Sequence, residues 1–173
     1  MLTHDEARNL ALTEAGQCPV PVAIIDSATI HAEWGWAFFY QSVAYLTTGD
    51  VSEQLGGNGP ILVDRQSGRV FPTESARTVE SSIANYLDTG DPTRTLDGRV
   101  LIAAQPDLPD PHASAAYLHG ATGTPRSAAL KGLLGLGNGR DYVVDGGSAL
   151  AAKDLANTLS AMGYRTSVLT RPA

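Results

Sequence analysis

The sequence has a single cysteine, Cys18, in 173 residues. One thiol excludes an intramolecular disulfide and any zinc site built from several cysteines. No apolar run approaches the roughly 20 residues that a membrane-spanning helix needs. The opening residues, Met1 to Glu14, are polar and acidic and do not read as a signal peptide, so the expected compartment is the cytoplasm. Histidines are few and scattered. His4, His31, His112 and His119 fit neither an H-x-x-x-H nor an H-E-x-x-H spacing, so no local metal ligand set is indicated. A phosphate loop is missing too. The glycines from Gly132 (G-L-L-G-L-G-N-G) follow a helical stretch and precede a strand, the reverse of a dinucleotide fingerprint, and no G-K-S/T is present. With 43% hydrophobic residues and a mean hydropathy of −0.08, the chain is still globular, long enough for one domain or two small ones.

Positive charge is scarce in the first half. Residues 1–92 carry twelve Asp and Glu against four Arg, a net −8, whereas residues 93–173 carry six acids against eight Lys and Arg, a net +2. An acidic half repels nucleic acid and speeds encounter with basic partners. The plainer reading is that the charge keeps a small domain soluble.

What is present is concentrated. Glu33 to Pro72 holds both tryptophans, all three phenylalanines and two of the six tyrosines. Trp34 to Tyr40 reads as one aromatic strand. Its period of two would set Trp34, Trp36, Phe38 and Tyr40 on one side and Gly35, Ala37 and Phe39 on the other. Ile61 to Val63, a turn at Gln66-Ser67-Gly68 and a return through Val70 and Phe71 make a β-hairpin. Gly56 to Pro60 is a loop of residues suited to sharp turns. Upstream, Thr3 and Glu6 form a capping-box pattern for a helix that Gly16 ends, and Pro19 to Asp26 reads as a strand. Asp50 and Ser52 are candidate caps for a short helix inside the ambiguous segment 42–55. Ser75 to Leu87 follows as a helix with a stripe at Val79, Ile83, Tyr86 and Leu87. The order α-β-β-(α)-β-β-α predicts an α+β domain with a meander-like antiparallel sheet.

The strand G-W-A-F-F-Y from Gly35, the segment Y-L-T-T-G-D, the loop G-N-G-P, the hairpin I-L-V-D-R-x-x-G-x-V and the helix V-E-S-S-I-A-N-Y from Val79 occur in this order. The set resembles the immunity protein 35 family, also called the YrhB family, over about Met1 to Leu87. The resemblance implies a protein that binds and neutralises a cognate toxin of a bacterial polymorphic toxin system. It also permits a chaperone-like role.

Thr89 to Asp97 is polar, holds Gly and Pro, and coincides with the shift in charge. It places a first domain over residues 1–90, a linker over 91–97 and a second domain over 98–173. The second half reads β-α-α-β-α-β: a strand at Val100–Ala104, helices at Ala113–Gly120 and after a Thr124-Pro125 cap, a strand at Tyr142–Val144, a helix at Ser148–Met162 and a strand at Arg165–Leu169. These elements would close an antiparallel sheet with helices on one face. This order, with A-T-G at the helix–helix turn, resembles the C-terminal domain of the bacterial ribosomal stalk protein L7/L12 over Gly98 to Leu169. In that family a basic first helix contacts translation factors. Here Ala116 and His119 stand at the matching positions, so the fold carries over and the factor contact does not.

No catalytic constellation emerges. Cys18 has no cationic neighbour in sequence and reads as a small hydrophobe near a strand. Asp26, Glu33, Asp50, Glu53 and Asp64 are acids near strand ends, and paired-carboxylate chemistry would need two of them to face each other across a pocket. The reading is a non-catalytic protein-binding protein without metal or cofactor, contacting neither nucleic acid nor membrane. Its partner would be a toxin or, in the alternative, the client of a chaperone or scaffold. The contact residues would be Trp34, Trp36, Tyr40, Asp50, Glu53, Asn58 and Asp64: aromatic anchors, an acidic face and the tip of the glycine-rich loop. The second half would serve dimerisation or partner docking, which leaves a homodimer open.

Overall fold

In the computed structural model, which describes residues 1–173, the chain divides into two units, Met1–Thr93 and Arg94–Ala173. The first runs α1 (His4–Ala15), β1 (Val22–Ile24), β2 (Ile30–His31), β3 (Gly35–Phe38), β4 (Tyr40–Ser42), α2 (Val43–Thr48), β5 (Asn58–Asp64), β6 (Val70–Glu74) and α3 (Val79–Thr89), with short 3-10 turns at Asp26–Ala28 and Val51–Glu53. Thr3 opens α1 with the expected capping box: its hydroxyl accepts from the Glu6 amide, and the Glu6 carboxylate accepts from the Thr3 amide at 2.8 Å. The buried face of α1 is Ala7, Ala11 and Ala15. Methyl groups alone let the helix lie close over the large side chains of Trp36, Phe38, Ile61 and Val63.

Those four belong to an antiparallel meander, β2-β3-β5-β6. Ala37, Leu62 and Phe71 are in register on its other face, where Tyr86 of α3 lies 5.3 Å from the Phe71 ring. With a helix on each face, β3 and the centre of β5 are buried throughout, so their sequences are continuous apolar runs rather than alternating ones. The stripe of α3 is shorter than its spacing suggested. The helix begins at Val79 behind a Thr78 cap, and Leu87 is 59% exposed.

The segment 34–40 is not one strand. It breaks at Phe39, whose carbonyl accepts from the Ile25 amide at 2.8 Å, and Tyr40 starts β4 in a separate two-stranded sheet with β1. Trp34 lies outside β3, in the tight turn where Ala32 and Gly35 exchange backbone hydrogen bonds. The period of two therefore does not reach it. Its ring is 5.3 Å from Tyr86, on the face opposite Trp36. Gly35 permits the change of side, because a Cβ there would lie 2.0 Å from the Val63 carbonyl oxygen.

The second unit runs β7 (Arg94–Ile102), α4 (Pro111–Thr122), α5 (Arg126–Leu136), β8 (Tyr142–Asp145), α6 (Ala149–Ala161) and β9 (Thr166–Pro172), in the expected β-α-α-β-α-β order. Its antiparallel sheet is ordered β8-β7-β9. Residues 94–97, read as linker, are paired in β7, with Arg94 opposite Pro172 and Leu96 opposite Thr170. A register shift between Leu96 and Val100 lets this polar stretch continue the strand. Gly98 allows it, at φ +82° and with no room for a Cβ against the Gly147 carbonyl. Thr124 does not cap α5: Pro125 holds that place, and the Thr124 hydroxyl meets that of Thr122 at 2.7 Å. Val100, Ile102, Leu118, Leu133 and Leu159 are fully buried in the core of this unit. No helix of the chain is long and apolar enough to cross a membrane.

Candidate partner-binding site

The seven residues expected to contact a partner lie in three places. Trp36 is 2% exposed, with the Arg65 guanidinium 4.2 Å above its ring, so it belongs to the core. Trp34 and Asp64 lie at one end of the meander. Tyr40, Asn58, Asp50 and Glu53 gather at the other, where the Asn58 side-chain amide donates to the Tyr40 carbonyl at 3.0 Å. Asn58 and Asp64 are the two ends of β5, a span of about 20 Å at ~3.3 Å per residue. The three acids Asp50, Glu53 and Asp64 thus do not make one face.

Asp64 staples the hairpin. One carboxylate oxygen accepts from the Gln66 amide at 2.9 Å, the Ser67 amide at 2.6 Å and the Ser67 hydroxyl at 2.8 Å, while the other accepts from the Tyr86 hydroxyl of α3. Burial alone would push this carboxyl up. The hydrogen bonds from Tyr86, Ser67 and Gln66 outweigh it and hold Asp64 at about 2. For Tyr86, burial and then the Asp64 carboxylate push the phenol up to about 12. The depressed carboxyl contributes stability that is present above the unfolded value of 3.8 and is lost as pH falls towards 2. The raised phenol contributes stability that is present below 10 and is lost as pH rises through about 12. Solvent screening reduces the acid-side share to about 1 kcal/mol. The urea midpoint should therefore fall between pH 4 and pH 2 by less in Tyr86→Phe than in the wild type. Equal losses would show that the tyrosine does not hold this carboxylate.

The other end is shaped by two buried polar side chains that the sequence did not single out. Gln41 (7% exposed) takes the part of a strand partner: its Nε2 donates to the Leu55 carbonyl at 3.2 Å, and its Oε1 accepts from the Leu55 amide at 2.5 Å and the Ser42 amide at 2.8 Å. The Ser42 hydroxyl donates to the Glu53 carbonyl at 2.5 Å and caps α2 by accepting from the Tyr45 amide at 3.1 Å. Asp50 caps the 3-10 turn Val51–Glu53, and Ser52 supplies the amide that it accepts. Together these bonds strap residues 51–55 to β4 and leave a cleft of about 510 Å³, lined by Val20, Pro21, Val43, Ala44 and Leu55 with Glu53 on its wall. Tyr40 lies nearby at the sheet's end. Burial pushes its phenol up to about 12, with the Cys18 sulfur and Glu14 adding to the effect, so it stays neutral. No group of three or more His, Cys, Asp or Glu stands close enough to hold a metal ion.

The stretch that builds the meander, its two helices and the cleft is the stretch that matches a known family. The profile described as immunity protein 35 matches residues 6–83, all within the first unit. A protein of Escherichia coli (strain K12) called "Uncharacterized protein YrhB" is 30% identical over 88 residues, which is 50% of this chain and 89% of that protein. The chain belongs to the immunity protein 35 family. No solved structure matches it.

Proposed function

We propose that the chain is a non-catalytic immunity protein whose first unit binds and neutralises a cognate toxin of a polymorphic toxin system, in the cytoplasm of the cell that makes both. Membership of the immunity protein 35 family carries this reading. The net −8 of residues 1–92 supports it, because a strongly acidic surface steers a basic partner into encounter and repels nucleic acid. Within this reading the contact set is Tyr40, Asp50, Glu53 and Asn58 at the cleft end, with Trp34 and Asp64 a second, separate element. Trp36 acts from the core. The second unit would serve as a dimerisation or partner-docking module.

A second reading, a chaperone-like or scaffold protein, draws on the apolar side chains exposed around the cleft. Co-expression decides between the two. The full chain should restore growth to bacteria that express the toxin-domain gene adjoining its own, and should not protect against unrelated toxins. Failure to protect against the adjoining toxin overturns the immunity reading. Equal rescue of many unrelated misfolded proteins would favour the chaperone.

A further inference from the structure

We infer that the cleft between Pro21, β4 and the 3-10 turn receives an apolar anchor from a partner polypeptide segment that carries Lys or Arg beside that anchor; this rests on the immunity reading. The cleft is built before any partner arrives. Gln41 and Ser42 hold its wall through hydrogen bonds from buried side chains, so little ordering entropy remains to be lost on binding. At about 510 Å³ it lies in the range of pockets that accept substantial apolar groups, ~300–1,000 Å³. Around it, Val43, Leu46 and Val51 are 42%, 45% and 72% exposed, a cluster of aliphatic side chains facing solvent on adjoining elements.

Charge selects the occupant. No Lys or Arg occurs anywhere between Arg8 and Arg65, and the first unit has no lysine at all. Every residue of the cleft comes from this cation-free stretch, which still carries six acids. Glu53 lines the cleft and Asp50 caps the turn beside it, and neither forms an ion pair with an Arg or Lys. An apolar seat with unneutralised carboxylates on its rim favours an apolar segment flanked by cations over a neutral or acidic one.

The test uses the isotopically labelled full chain, with its backbone amides followed by NMR. It is titrated with a synthetic amphipathic peptide of leucine and lysine and with its leucine–glutamate counterpart. The lysine peptide should bind saturably and shift amides in the segment Val43–Leu55, and the glutamate peptide should bind at least about tenfold more weakly. Val43→Asp and Glu53→Lys should each weaken the lysine peptide by about tenfold or more while circular dichroism stays unchanged. Shifts centred elsewhere, equal binding of both peptides, or indifference to Glu53→Lys would overturn the inference. So would a dimer of the wild type that Val43→Asp dissociates, since the cleft would then belong to a second copy. The co-expression assay separates the two readings. A Val43→Asp chain that protects as well as the wild type removes the cleft from toxin binding and leaves the immunity role standing. A wild type that fails to protect ends the immunity role, and the peptides then decide the cleft alone.

Discussion

Replacing Trp36 by alanine should cost the first unit about 3–5 kcal/mol, the usual loss when a buried aromatic ring is truncated. The ring is 2% exposed and sits between the sheet and α1, with His4 at 6.2 Å and Phe38 at 6.5 Å between ring centres. The helix residues above it are Ala7 and Ala11, which have no reach to close the cavity. A second loss follows at Arg65. Its guanidinium stacks on the indole at 4.2 Å and donates one bond, to the Ala32 carbonyl at 3.0 Å, while its Nε is buried without a partner. Without the ring, that cation loses most of what compensates its burial. For a unit of this size the thermal midpoint should fall by on the order of 20 °C. Urea unfolding followed by circular dichroism measures it, and a cost below about 1 kcal/mol would show that the ring is not the seat of α1.

Gly35→Ala should destabilise by about 3 kcal/mol or more, out of proportion to the single methyl added. The new Cβ would stand 2.0 Å from the Val63 carbonyl oxygen and about 3 Å from the Arg65 nitrogen, and both are backbone, so no side-chain rotation relieves the clash. Relief requires β3 to draw away from β5 next to the paired residues Trp36 and Val63, or the turn to reopen and release Trp34 from Tyr86. Gly90→Ala, at a helix-terminating glycine with open space around it, is the comparison: it should pay only for its left-handed backbone, about 1 kcal/mol. Equal costs at the two positions would mean that the strand contact at Gly35 is not tight.

What was legible in the sequence was local. The capping box at Thr3, the hairpin turn with Gly68 at φ +70°, and the order of strands and helices in the second unit follow from residues a few positions apart. The division of 34–40 was not legible, because it depends on the Ile25 amide taking the Phe39 carbonyl, a contact across 14 residues. The same limit hid the cleft. Gln41 bonds to Leu55 across 14 positions, and nothing in Y-Q-S-V-A-Y marks that glutamine as a substitute strand. Acids near strand ends suggest one acidic face, but the length of β5 separates Asp64 from Asp50 and Glu53. At the other end of β5, the Asn58 side chain reaches the Tyr40 carbonyl, and the Glu53 carbonyl is tied to β4 through Ser42. Val43 and Leu55, which line the cleft beside Glu53, lay in the one segment whose periodicity was ambiguous.

The turn that carries Trp34 across the sheet has an optical consequence. The chain has two indoles, both in the first unit, two residues apart and on opposite faces of one meander. Trp36 lies beneath α1, beside His4, whereas Trp34 lies beside Tyr86 of α3. Tryptophan emission therefore arises from the first unit alone. Within the first it is a two-channel gauge, one emitter reporting the docking of the opening helix and the other the docking of the closing one.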